Sequence, residues 1–227
     1  MNKTSHPCDG ASHHCDTQER LLDAAEHLFA TEGIAETSLR AITAEADANI
    51  ASVNYHFGSK EALFQAVIAR RLGPINDERL GLLAAAEADA GEAPPTLEAV
   101  IEAFVRPIIR LRHDSSHGEH FMRLMGRVHT EPGEWTLRAL EEFRESFQRF
   151  AEVFARILPE LSEEERLWRM FFLIGVTAHT AAADFKLQHL AGDRCPPTDI
   201  ETTSRRLVSF AVAGFRAPVP SEDGENS

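Results

Sequence analysis

Lysine is scarce in this 227-residue chain: Lys3, Lys60 and Lys186 are the only ones. With 23 Lys and Arg against 36 Asp and Glu, the formal net charge is -13. That balance excludes a nonspecific nucleic-acid binder held by a basic excess. A specific binder remains open, because a few well-placed donors hold phosphates if the acidic bulk sits elsewhere. Cysteine is also sparse. Cys8, Cys15 and Cys195 make no disulfide framework and fit a reduced compartment. No apolar run approaches the ~20 residues that cross a bilayer. The opening MNKTSHPCDGASHHCD lacks the apolar core of a signal peptide, so a cytoplasmic protein is expected. There is no Gly-rich phosphate loop, no nucleophile elbow and no HExxH, so neither an enzyme nor a cofactor is expected. The run Glu163, Glu164, Glu165 reads as the exposed first turn of a helix.

What remains is helix. Hydrophobic residues make up 43% and charged residues 26%, ordinary for a globular chain. The periodicity is helical nearly throughout, with no alternating strand and no internal repeat, which predicts an all-α fold of nine helices. Asp16 with Glu19 resembles a capping box, and Leu21, Leu22, Ala25, Leu28 and Phe29 follow at helical spacing until Gly33. Later helices are expected from Lys60 towards Ala88, from Thr96 to Arg112, and over 118–129, 134–158, 162–190 and 198–216. Gly73-Pro74 should kink or break the fourth, and Pro107 should kink the fifth. The organisation expected is a disordered tail over 1–15, a helix-turn-helix domain over 16–64, a larger helical domain over 65–216, and an acidic disordered tail over 217–227.

The stretch NIASVNYHFGSKEAL, from Asn49 to Leu63, is unusual. Thr37 and Ser38 offer caps to a helix carrying Leu39, Ile42 and Ala46. Asp47-Ala48 makes a turn, and Asn49 caps a very short helix from Ile50 to His56. Ala48, Val53 and Phe57 should pack inward. That leaves Asn49, Ile50, Ser52, Asn54, Tyr55 and His56 outward. So short and polar a helix gains little stability alone. Its outward face makes sense in a DNA major groove, where N-terminal residues reach base edges. Thr37, Ser38 and Lys60 sit at helix N-termini, which favour an anion, and Arg40 can reach a phosphate or a guanine. Tyr55 and His56 carry donors on rigid rings.

The residues from ERLLDAAEHLFATEG through TSLRAITAEADANIASVNYHFGSKEALF resemble the DNA-binding domain of the TetR family of bacterial repressors. By that resemblance Ser38, Arg40, Ile50, Ala51, Ser52, Asn54, Tyr55, His56 and Lys60 fall at DNA-contact positions. Two departures stand out. The turn has Asp47-Ala48 where the family usually has Gly-Val, and Asp tolerates the left-handed conformation better than most residues. Asn54 stands where an aromatic is common, and asparagine can make a bidentate contact to adenine.

The segments RRLGPINDERLGLL and FMRLMGRVHTEPGEW are similar to one uncharacterised C-terminal subgroup of the family. The resemblance implies a homodimer formed through the last two helices and a small effector held among the central ones. Gly175, Ala178, Ala181 and Ala182, with Val208, Ala211, Val212 and Phe215, are the expected dimer residues. A dimer sets two recognition helices about 34–36 Å apart and predicts a pseudo-palindromic double-stranded DNA operator. The central helices are rich in Phe, with Met122, Met125, Met170, Trp135 and Trp168. The expected effector-binding set is Phe104, Ile108, Phe121, Met125, His129, Phe143, Phe147, Phe172, Val176 and His179, around a small hydrophobic effector, with Thr177 and Thr180 as further polar groups. A kink at Gly73-Pro74 would pass a ligand-driven rotation to the DNA-binding helices.

Two rival readings have some support in the residues. His6, Cys8, His13, His14 and Cys15 would suit a metal-responsive regulator, although their spacing matches no structural zinc pattern. His113, His117 and His120 form a second such cluster, read as solvated. A helical ligand-binding protein without DNA binding would be expected to lack Arg40, Tyr55 or Lys60, and all three are present.

Overall fold

Each helix boundary in the first third of the chain has an identifiable stop or start. Gly33 takes φ 107° just past the first helix, and a Cβ there would meet the Glu36 carboxylate at 2.4 Å. Gly58 takes φ 79° after the third. Both conformations are open to glycine at little steric cost. Ser38 accepts from the Ala41 N–H at 3.1 Å and Asn49 accepts from the Ser52 N–H at 2.8 Å, so two side chains cap two successive helices.

The computed structural model describes residues 9–114, 116–130, 133–195 and 198–219. Among these, all regular structure is helical: α1 Asp9–Thr31, α2 Leu39–Glu45, α3 Ile50–His56, α4 Lys60–Ala90, α5 Leu97–Asp114, α6 Ser116–Thr130, α7 Glu134–Glu141, α8 Arg144–Ile157, α9 Glu163–Ala191 and α10 Ile200–Arg216, with a 3₁₀ turn at Gly192–Arg194. None of these helices is long and apolar enough to cross a membrane.

Three expectations need correction. First, α1 begins at Asp9, so the tail expected over 1–15 is helical from that point, and residues 1–8 lie outside the described residues. Asp16 and Glu19 are interior to it. Asp16 pairs with Arg20 at 3.9 Å and Glu19 with Arg70 at 3.1 Å. Extending an existing helix costs far less than nucleating one, so a capping pattern need not mark a start. Second, the single helix expected over 134–158 is two, α7 and α8, parted at Glu142 and Phe143. The chain changes unit at that point. Third, of the kink or break expected at Gly73-Pro74 the break is excluded: α4 runs through Pro74, and α5, expected to kink at Pro107, is likewise unbroken. Val67, Ile68, Leu72, Ile75 and Leu83 are all buried along α4, and packing of this kind overrides local propensity.

The chain divides into two compact units. The first takes in the chain to Leu72 together with Arg123–Glu142, and the second takes Gly73–Met122 with Phe143 onward. The first unit thus extends beyond the boundary expected at residue 64 and recruits a later segment. Its core is Leu21, Ala25, Phe29, Ile42, Val53, Leu63, Phe64 and Val67. Phe29 meets Phe64 edge to face at 5.9 Å, and Phe64 meets Trp135 likewise at 5.2 Å. Glu26, 2% exposed, takes Arg70 at 2.6 Å and Arg71 at 2.9 Å, joining α1 to α4. Arg127 of α6 donates to the Ala30 and Thr31 carbonyls at the end of α1, satisfying acceptors that a helix C-terminus leaves open.

In the second unit α5 packs on α8, α9 and α10. Phe104 meets Phe150 edge to face at 5.2 Å, and Phe154 stacks on Phe215 at 4.7 Å. Arg169, nearly buried, binds Glu165 at 2.7 Å and donates to the Phe215 carbonyl at 2.6 Å, closing the end of α10. Glu87 of α4 holds Arg149 and Arg156 of α8.

Candidate nucleic-acid interface

The helix pair α2–α3 is fixed from behind. Val53 is fully buried, and the Ala48 N–H donates to the Thr43 carbonyl at 2.9 Å to close the turn. Asp47 takes φ 48°, alone in positive φ among the described non-glycine residues. Asp47 therefore does stand in the left-handed conformation, where a β-branched residue would be strained. Glu45 of α2 meets His27 of α1 at 2.8 Å.

With Val53 inward, most of the seven-residue α3 faces out. Asn49, Ile50, Ala51, Asn54 and Tyr55 are exposed, Tyr55 to 72%, and Ser52 and His56 are half-buried. Asn49 Oδ1 is occupied by the Ser52 N–H and hydroxyl. The Tyr55 and His56 rings meet edge to face at 5.1 Å, which holds both near the C-terminal end of the helix. Arg40 is exposed in the first turn of α2, beside the cap Ser38, whose oxygen accepts and whose hydroxyl hydrogen is left to donate.

Thr37 does not belong to this face. It is 1% exposed, and its hydroxyl donates to the Gly33 carbonyl at 2.6 Å and lies 3.3 Å from the Leu28 carbonyl. Its N–H also goes to Gly33. Every donor it has is spent inside the unit, so the expected phosphate contact is corrected. Lys60 is partly engaged. Its ammonium donates to the Ala35 carbonyl at 3.0 Å and lies 5.7 Å from the centroid of the Trp135 ring. Partial burial pushes its pKa down, against the opposing pull of Glu61 and Glu36. An ammonium has three donors, so two remain. Trp135, expected among the cavity aromatics, is in the first unit and supports Lys60 and Phe64.

The expected effector residues are not gathered into one cavity. Phe104, Ile108 and Phe121 are buried core, and Phe143 and Phe147 are half-buried. Met125 falls in the first unit, and the His129 side chain lies outside the described residues. Phe172 is 58% exposed and His179 is exposed. Phe172 and Val176 line instead a shallow 80 Å³ depression with Phe210 and Gly214. Periodicity says which residues share a helix face, not which face looks inward, and here the aromatic face of α9 looks out. Trp168, Phe171 and Phe172 form one exposed cluster, with Trp168 5.9 Å from Phe171 and 5.7 Å from Phe172. Among the expected dimer residues, Ala181, Ala211, Val212 and Phe215 are buried within the chain's own second unit, whereas Gly175 is exposed.

The tail histidines and cysteines lie outside the described side chains, as do His113 and His117. Sequence reasoning missed Arg79. It is 3% exposed in the second unit, and nothing in the residues around it distinguishes it from the exposed arginines nearby.

Two known families match. Bacterial regulatory proteins of the tetR family match residues 21–67, and the tetracyclin repressor-like C-terminal domain matches residues 102–214. The chain is 33% identical over 60 residues to the HTH-type transcriptional regulator SrpR of Pseudomonas putida, covering 26% of this chain and 28% of that protein. It is 39% identical over 57 residues to the HTH-type nicotine-responsive transcriptional repressor HdnoR of Paenarthrobacter nicotinovorans, covering 25% and 29%. The matches thus span under a third of the length of these two relatives. In fold it is similar to the fatty acid degradation regulator FadR from Bacillus halodurans, with TM-score 0.62 at 15% identity over 87% of this chain and 99% of that one. A TetR-like transcriptional regulator from Rhodococcus sp. RHA1 aligns with TM-score 0.54 at 23% identity, over 89% and 97%.

Proposed function

Because the chain belongs to the TetR family of bacterial regulatory proteins, we propose that it is a ligand-responsive transcriptional repressor of the cytoplasm. It binds a pseudo-palindromic DNA operator as a homodimer and is released by a small, largely apolar effector taken into the second unit. The observation that carries this reading is the outward face of α3. Ile50, Ala51, Asn54 and Tyr55 project from a helix held by one buried residue, a side-chain cap and a fixed turn. A stable fold gains little by exposing them, whereas a major groove would use them.

Arg40, Ser38 and Lys60 serve the phosphates, and Asn54 with Ile50 reads base edges. The partner surface is the exposed aromatic face of α9 continued onto α10. Phe172 and Phe210 line the same depression, and Phe210 is 67% exposed. Large contiguous apolar surface of this kind marks an interaction site. The dimer contact is therefore led by Trp168, Phe171, Phe172 and Phe210 rather than by the buried Ala181 and Ala211.

For effector control, the two helices α4 and α6 each run from one unit into the other, at Leu72/Gly73 and Met122/Arg123. A ligand that binds one arrangement of them better than another changes the spacing of the two α3 helices, and only that differential affinity does work.

Footprinting on the DNA upstream of the chain's own gene, paired with light scattering of the protein, tests the reading. Two protected half-sites about one helical turn apart, from a dimer, are expected. A monomer that protects nothing contradicts it. Phe171→Glu should convert the dimer to monomer and lose the footprint while remaining helical.

A further inference from the structure

The interior of the second unit holds a cation with no counter-charge among the described residues. Arg79 of α4 is 3% exposed, and among the described residues it has no carboxylate partner. Its Nε donates to the Phe104 carbonyl at 2.8 Å, and its guanidinium carbon lies 4.1 Å from the Phe104 ring centroid and 5.9 Å from that of Phe143. Its Nη1 is buried and without a hydrogen-bond partner among the described residues. Burial pushes its pKa down, against the charge it carries.

Arg169 shows what a structural buried arginine looks like in the same unit. It has Glu165 at 2.7 Å, and its Nη1 is spent on the Phe215 carbonyl. Arg79 has half of that. Part of its role is local: Arg79 Nε donates to the Phe104 carbonyl, in the turn of α5 before Pro107. That explains one nitrogen. A neutral glutamine could do as much, and it leaves both the charge and Nη1 unexplained. A buried guanidinium without a carboxylate is costly, and a buried polar atom without a partner calls for a cause such as a ligand.

The surroundings define the ligand. Asn76 lies one helical turn before Arg79 and is buried, and Ser146 of α8, 1% exposed, donates to its Oδ1 at 3.2 Å. Phe104, Phe143 and the fully buried Phe150 supply the apolar walls. Phe104 and Phe150 are locked in the core, whereas Phe143 is half-buried at the uncapped start of α8.

We propose that Arg79 is the anchor for the carboxylate of an amphipathic organic acid, whose aliphatic or aromatic body lies against Phe104, Phe143 and Phe150. This rests on the reading of the second unit as effector-binding and narrows its effector from any apolar compound to an anionic one. The planar guanidinium matches a carboxylate in geometry, with Nη1 as the donor held ready. Binding supplies the missing counter-charge and the missing acceptor together.

The test uses the full-length chain in thermal denaturation and calorimetry with octanoate, benzoate and phenylacetate, each against its uncharged primary amide. The variants are Arg79→Gln, which keeps a donor for Phe104, and Arg79→Met, which keeps the volume. We expect at least one acid to raise the wild-type melting temperature and its amide not to. Arg79→Gln should bind that acid at least roughly thirtyfold more weakly. Unliganded, Arg79→Gln should melt no lower than wild type. Two results overturn the proposal. One is acids acting equally on wild type and both variants, or on none of them. The other is variants that melt several degrees lower with no acid preferring wild type, which would make Arg79 a structural clamp. Duplex binding separates this from the broader reading. An acid that binds through Arg79 but leaves duplex affinity unchanged keeps the anchor and removes the regulation. An amide that releases DNA through a wild-type-like Arg79→Gln protein keeps the regulation and removes the anchor.

Discussion

Trp135 meets Phe64 edge to face with ring centroids 5.2 Å apart, and the same indole lies under the Lys60 ammonium at 5.7 Å. A residue of α7 therefore supports the first turn of α4, the helix that follows α3 in the same unit. Trp135→Ala should cost about 2–3 kcal/mol of stability, below the usual value for a fully buried ring because Trp135 is only half-buried. Trp135→Phe should recover most of it. Denaturant titration of both variants checks this, and an unchanged midpoint for the alanine variant would show that the contact contributes nothing.

Asp47 occupies a left-handed position in the turn between α2 and α3. Asp47→Gly relieves steric strain but frees the unfolded chain, so it should be neutral or stabilising by up to about 1 kcal/mol. Asp47→Val should destabilise by about 1–2 kcal/mol. If the valine variant matches wild type in thermal unfolding, the turn does not have the conformation described.

Glu26 is buried between Arg70 and Arg71. Removing its charge leaves two partly buried cations short of a partner, although Glu19 and Asp23 still hold Arg70. Glu26→Gln should destabilise by about 2–3 kcal/mol, somewhat less than a fully severed buried pair. Chemical denaturation reads this, and a loss under half a kilocalorie (roughly the surface-pair value) would place the network at the surface in energetic terms.

Glu87 gives a pH dependence. Burial works to raise its pKa, but the hydrogen bonds and charges of Arg149 and Arg156 together hold it below the usual carboxylate value. A carboxyl with a depressed folded pKa contributes stability above its unfolded pKa and loses it as pH falls through the folded value. Both arginines are well exposed, so screening limits the gain to about 0.5–1 kcal/mol. Glu87→Gln should be destabilised by that amount near neutral pH and match wild type once the carboxyl is protonated. A deficit that persists in acid would assign the loss to packing.

On DNA, Lys60 and Asn54 should separate. Lys60→Ala should weaken binding to all sequences and reduce the slope of log K against log salt by about 0.9. Asn54→Ala should leave the salt slope alone and relax the preference at one base pair by about 1–3 kcal/mol. The reverse pattern would exchange their roles.

The helices α2 and α3 were legible in the sequence because their limits are chemical. Ser38 and Asn49 cap them and Gly58 ends α3, all local signals. The division of the second unit into core and surface was not. Phe150 and Phe172 both sit in helices with several aromatics, yet one is fully buried and the other 58% exposed. Only the packing of α5, α8, α9 and α10 decides that. Thr37 and Ser38 are adjacent hydroxyls of similar capping propensity, and tertiary burial alone turns the first inward. Arg79 was invisible for the same reason, since its lack of a counter-charge is a property of its neighbours in space.

The measurement that bears most directly on the account is fluorescence anisotropy of the purified protein with duplex from upstream of its own gene, at two salt concentrations, with random duplex as competitor. The account predicts tight, salt-sensitive binding that random DNA does not displace and that Tyr55→Ala with Lys60→Ala abolishes. Binding to the upstream duplex no tighter than to random duplex, or unchanged by both substitutions, would contradict the assignment of α3 as the DNA-reading helix.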